Sequence, residues 1–163
     1  MFRFKKEFEI GSKKIGEGHP VYLVAEIGRN HNGDMELAKE TIDAAVEAGA
    51  DSVKFQSFKA RDLLVKNLSD IKHVSETGKG KSLYQLTEEV ELSKEQHREL
   101  GRYCREKEID FFSTPLDPSF VPLLEEINVP LYKIASLDLR YFDLIARVAE
   151  TKKPVFISTG MSY

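Results

Sequence analysis

The stretch VYLVAEIGRNHNGDMELAKETIDAAVEAGADSVKFQS, residues 21–57, decides the fold class. It opens on an apolar run, VYLVAEIG, and closes on another, DSVKFQS. Both are short and rich in Val, Ile, Phe or Tyr, as strands buried on two faces are. Between them Asp34 can cap a helix that Gly49 ends. Ala38, Ile42, Ala45 and Val46 give that helix one apolar stripe. Strand, helix and strand in this order predict a βαβ unit with a parallel sheet.

The same order repeats along the chain. Three more apolar runs follow: IDFFSTP (109–115), VPLYKIAS (129–136) and KPVFISTG (153–160). Ser93 with Gln96 forms a capping-box pattern before a helix carrying Leu100, Tyr103 and Cys104. Asp117 and Pro118 start another helix, with Phe120, Val121, Leu124 and Ile127 on its apolar side. Leu144, Ile145, Val148 and Ala149 mark a fourth. Residues 1–20 predict a β-hairpin, FRFKKEFEI and KKIGEG around Gly11-Ser12, able to plug the bottom of a barrel. Residues 58–92, with SETGKGKSLYQ, predict a long, weakly structured connection that acts as a substrate lid or a solvated loop.

Composition narrows the function. The 163 residues are 41% hydrophobic and 31% charged, enough for roughly one domain. A net charge of −3 leaves no electrostatic footprint for nucleic acid or an anionic membrane. No apolar run approaches the roughly 20 residues that span a bilayer. The charged start does not read as a signal peptide, and the single cysteine, Cys104, permits no internal disulfide. A cytoplasmic location is the expectation.

Polar residues gather at the carboxyl ends of the predicted strands: Glu26 with Asn30, His31 and Asn32; Lys54 and Gln56; Ser113 and Thr114; Lys133, Ser136 and Asp138; Ser158 and Thr159. In parallel α/β folds these ends share one face, and that face carries the site. Strand alternation puts Lys54 and Gln56 on the same side, and Lys133 opposite Tyr132 and Ile134. A lysine is costly to bury unpaired. Two readings are open for Lys54 and Lys133: a cradle for a small phosphate or carboxylate, or an internal ion bridge to Glu26. His31 is open between a rim role and a solvated turn. His19, His73 and His97 show no metal spacing and read as surface residues. Cys104 reads as core, and Glu88, Glu89 and Glu91 as a solvated face.

The blocks AEIGRNHNGDMELAKETIDAAVEAGADSVKFQSFKA, FFSTPLDPSF, VPLYKIAS and KKPVFISTGMS resemble the sialic acid synthase family, in order over residues 20–163. The resemblance implies a (β/α)8 TIM barrel of which this chain holds the first five βα units. The remaining strands and a small C-terminal antifreeze-like domain are expected outside it. It implies condensation of phosphoenolpyruvate with an N-acetylmannosamine-type amino sugar, with C–O cleavage and phosphate release, to give a nonulosonic acid. Sialic, legionaminic or pseudaminic acid, or a spore-coat polysaccharide sugar, would be the product. By the resemblance Glu26 is catalytic. Lys54, Thr114, Lys133, Ser136 and Ser158 hold phosphoenolpyruvate, and Gln56 and Asp138 contact the sugar. The family commonly reads KIASGE where this chain has Leu137 and Asp138. The resemblance also implies a divalent metal, Mn²⁺, with ligands beyond Tyr163, and a homodimer. Two alternatives stand beside it: a lysine Schiff-base aldolase using Lys133 or Lys54, and a non-catalytic phosphoenolpyruvate-binding fragment.

Overall fold

The computed structural model describes residues 6–65 and 81–161. Part of the expected lid, His73 and the first residues of the expected hairpin lie outside the described residues.

The hairpin forms as predicted. Strands β1 (Glu7–Ile10) and β2 (Lys13–Gly16) pair antiparallel through a two-residue turn, Gly11-Ser12. Its turn meets the amino ends of later strands. Lys13 pairs with Asp51, Gly11 lies against the Asp110 carboxylate, and Ile10 is fully buried in the core.

Five parallel strands follow, one for each predicted run: β3 (Val24–Gly28), β4 (Ser52–Ser57), β5 (Asp110–Pro115), β6 (Tyr132–Ile134) and β7 (Val155–Ile157). Strand β4 lies between β3 and β5, while β6 pairs with β7 and packs beside β5. The result is an open arc with a parallel sheet at each end; it is not closed into a barrel. Its two ends show apolar side chains to solvent, Val24 on β3 and Ile157 on β7.

Helices cover the outer face. Helix α1 (Met35–Glu47) begins where Asp34 accepts from the Glu36 and Leu37 amides, and buries Ala38, Ile42 and Ala45. Val46, expected on that stripe, is exposed on the helix's last turn. The connection after β4 is more structured than expected. It contains α2 (Ala60–Leu63) and α3 (Leu83–Glu89), the latter started by a Ser82–Gln85 capping box. Glu91 is not on a solvated face: it accepts from the Lys59 ammonium and the Ala60 amide. Helix α4 (Lys94–Glu106) starts at the predicted Ser93–Gln96 capping box and buries Leu100 and Cys104. Helices α5 (Val121–Ile127) and α6 (Phe142–Glu150) complete the layer.

Alternation along the strands sorts their side chains. Phe55 and Phe111 face the helices, with ring centroids 5.4 Å apart. Phe112 and Phe156 meet edge to face on the inner side, 6.2 Å apart. Lys54 is the register partner of Phe112, and Lys133 of Phe156. Register partners in a parallel ladder point the same way, so both lysines face the concave side.

Candidate active site

The candidate site residues lie at the carboxyl ends of the strands. After Glu26 the β3–β4 register slips by one residue, and Gly28 takes a left-handed φ of 56°. A β-bulge of this kind bends the strand and re-aims its side chains. The left-handed φ favours glycine here, and a Cβ would sit 2.9 Å from a Glu26 carboxylate oxygen, so a side chain would displace that carboxylate. Glu26 reaches across and pairs with Lys54. The internal bridge is therefore present, and Lys54 also points at the Thr114 hydroxyl, 3.4 Å away. Lys54 is only 9% exposed, whereas the Glu26 side chain is half open to solvent.

Lys133 sits on the other side of the concavity. It donates to the Ser158 hydroxyl at 2.6 Å and to the Ile134 carbonyl at 2.8 Å. Burial pulls its pKa below the usual lysine value, and repulsion from Lys54 adds to this; Glu26 and Asp138 pull the other way. These four groups therefore share one electrostatic environment. Lys133 has no carboxylate within ion-pair distance among the described residues.

After β6 the chain turns through a short 3₁₀ helix, Ser136–Asp138. Ser136 is half-buried beside Gly160. Asp138 is 5% exposed, and one of its carboxylate oxygens has no hydrogen-bond partner. Burial raises its pKa, and Lys133 opposes the rise. Gln56 is half-buried next to Glu26 and accepts from the Arg29 Nε at 2.9 Å.

Two expected rim groups, Ser113 and His31, turn away, and a histidine expected on the surface, His97, is buried. Ser113 faces the helices, bonded at 2.7 Å to Ser57, because its strand alternates it against Thr114. His97 is fully buried, not on the surface. Its Nδ1 donates to the Ser93 carbonyl at 2.8 Å, so Nε2 accepts from the Ser57 hydroxyl at 2.8 Å. Burial lowers its pKa and keeps it neutral. The chain Ser113–Ser57–His97 locks α4 onto the back of β4 and β5. His31 is also buried: its Nδ1 accepts from the Gly33 amide at 3.0 Å and its ring lies against Phe55. Neither histidine faces the concavity. Sequence reasoning missed Arg29, whose signal was a cation within an otherwise uncharged rim turn, GRNHNG.

Among the described residues no group of three or more His, Cys, Asp or Glu side chains converges to hold a metal. No described helix is long and apolar enough to cross a membrane.

A family model described as the NeuB family matches residues 41–163. The chain belongs to the NeuB family. The match takes in every site residue named above from Lys54 onward; Glu26 and Arg29 precede it. Similar proteins include an uncharacterized protein of Methanocaldococcus jannaschii, 41% identical over 96% of this chain and 43% of its own length. Another is the spore coat polysaccharide biosynthesis protein SpsE of Bacillus subtilis, 38% identical over 94% of this chain and 40% of its own. Among solved structures, the sialic acid synthetase of Leptospira borgpetersenii superposes with a TM-score of 0.84 at 32% identity. It is covered over 50% of its length by 96% of this chain. The chain thus spans half or less of the NeuB relatives it matches.

Proposed function

We propose that the concave rim binds phosphoenolpyruvate, within an enzyme that condenses it with an N-acetylmannosamine-type amino sugar to a nonulosonic acid. The open arc is then part of a (β/α)8 barrel closed by polypeptide outside residues 1–163, in keeping with relatives more than twice as long. One observation carries the reading: Lys54 and Lys133 face the same side with the Thr114 and Ser158 hydroxyls beside them. That is the donor set a phosphate and a carboxylate on one small molecule require.

Each residue then has a task. Lys133, which has no carboxylate partner among the described residues, takes one anionic group together with Ser158. Lys54 and Thr114 take the other, and Glu26 shares Lys54 with the ligand. The enol carbon of phosphoenolpyruvate attacks the aldehyde carbon of the open-chain sugar, whose oxygen takes the C=O pair and a proton to become a hydroxyl. Water adds to C2, and phosphate leaves with the C–O bonding pair. Glu26, half open to solvent beside Lys54, orients that water and accepts its proton. Asp138 and Gln56 face the sugar. The ligands of a divalent metal are expected outside residues 1–163; when bound, the ion would polarise the sugar aldehyde as a Lewis acid. The test is phosphate release by the full-length protein from phosphoenolpyruvate with N-acetylmannosamine. Release should require both substrates; release without sugar would sink the condensation.

The lowered pKa of Lys133 also favours a second reading, a Schiff-base aldolase, because an unprotonated amine is the nucleophile there. Borohydride with pyruvate separates the two. A mass gain on Lys133 would carry the aldolase; the synthase predicts none.

A further inference from the structure

The two carboxylate oxygens of Glu26 have different neighbours. Oε2 pairs with the Lys54 ammonium, while Oε1 lies beside Gly28, 2.9 Å from where a Cβ would stand. The Gln56 amide nitrogen flanks the same point, at 3.5 Å. Gln56 is fixed with that nitrogen turned this way. Its carbonyl oxygen accepts from the Arg29 Nε at 2.9 Å, and the Arg29 guanidinium lies over the buried Phe58 ring, 4.2 Å from the centroid. Among the described residues no hydrogen bond joins Gln56 to Glu26. The bare Gly28 Cα therefore leaves a second seat beside the carboxylate, with an amide N–H group as its donor.

The first seat, on Lys54, is contested. Besides Glu26, the side chain of Lys54 reaches only the Thr114 hydroxyl among the described residues, at a long 3.4 Å. A ligand's anionic oxygen that approaches this ammonium meets the Glu26 carboxylate already there. Two like charges crowded against one buried ammonium repel strongly, because a buried place screens poorly. Lys54 stands in the middle of strand β4 and is 9% exposed, so it cannot move away. Glu26, at the register slip and half open to solvent, can.

We propose that phosphoenolpyruvate and Glu26 exchange places on Lys54: an anionic oxygen of the donor takes the ammonium, and the carboxylate moves to the Gln56 amide. Donor binding then prepares the base. While Oε2 is held by Lys54, that oxygen is not available to a water; once released, it is free to orient the water and accept its proton. Water is activated only in a site that already holds its donor. Arg29 serves the exchange as a positioning residue, since it turns the Gln56 nitrogen toward Gly28. This rests on the phosphoenolpyruvate reading given above.

The experiment is a calorimetric titration of the full-length protein with phosphoenolpyruvate, for the wild type, Glu26→Gln, Lys54→Met and the double variant. With Lys54 present, Glu26→Gln should lower the dissociation constant about tenfold, because the donor no longer displaces a charged partner. In the Lys54→Met background the same change should do little. Equal tightening in both backgrounds would mean simple charge repulsion and overturn the exchange, as would no change or a weakening. A crystal structure with phosphoenolpyruvate bound decides the matter even where Lys54→Met binds too weakly to measure. It should show a Glu26 oxygen within hydrogen-bond distance of the Gln56 nitrogen and beyond ion-pair distance of Lys54; Glu26 still on Lys54 overturns the proposal. No binding of phosphoenolpyruvate by the wild type would instead overturn the functional reading, and the exchange with it.

Discussion

Lys133 donates to the Ser158 hydroxyl at 2.6 Å, joining β6 to β7 at their carboxyl ends. Each residue gives the other its orientation, and the ammonium has no carboxylate partner among the described residues. If this pair holds one anionic group of phosphoenolpyruvate, Lys133→Met should raise its dissociation constant about tenfold to a hundredfold, the loss of a charge-assisted contact. Ser158→Ala should cost less, since only a neutral donor goes. Calorimetric titration checks both. Equal, negligible losses would place the ligand elsewhere.

The same lysine sets a pH dependence. Burial and Lys54 lower its pKa, so the folded protein loses that proton below the ordinary lysine value. The cationic form binds the anion, so affinity should fall as pH rises through the lowered pKa. An NMR titration of the Lys133 side chain should give a midpoint below about 10.5, and binding should weaken over the same range. A midpoint at or above the ordinary value would remove the lysine's shared environment with Lys54.

His97 and His31 give an acid-side dependence of stability. Burial lowers both pKa values. The unfolded chain takes up these protons near pH 6.5, the folded chain only at lower pH. Between those points the unfolded state holds more protons, so stability should fall as pH drops below about 6.5. Thermal unfolding at pH 7 and 5.5 reads this. His97→Gln should be less stable at pH 7 yet lose less on acidification. An identical loss in the variant would mean His97 does not contribute.

The hydroxyl between them is a separate test. Ser57→Ala leaves the Ser113 hydroxyl and the His97 Nε2 without their partner, in a fully buried place. Stranding buried polar groups costs about 1–3 kcal/mol. Denaturant unfolding should show that loss, and a smaller one for Ser113→Ala, which strands only the spare acceptor capacity of Ser57.

Much of this was legible in the sequence because it is local. The apolar runs gave all five parallel strands, and Asp34 and Ser93 with Gln96 gave helix starts, since caps act over three residues. Alternation placed Lys54, Lys133 and Gln56 inward. What failed was tertiary. Nothing local to LSKEQHREL says that His97 meets Ser57 forty residues earlier; a histidine among charged neighbours reads as solvated. Ser113 and Thr114 are both hydroxyls at one strand end, and only the register decides which faces inward. The ring support that makes Arg29 rigid comes from Phe58, on another strand's connection.

On the proposed reading, Lys54, Thr114, Lys133, Ser136 and Ser158 form one phosphoenolpyruvate site. The most direct measurement is an NMR titration of the 163-residue chain with phosphoenolpyruvate. One site should give saturable shifts confined to the backbone amides of Thr114, Ser136 and Ser158 and the side chains of Lys54 and Lys133. Shifts centred instead on the cleft beside the hairpin, lined by Lys13, Lys14 and His19, or none that saturate, would contradict it.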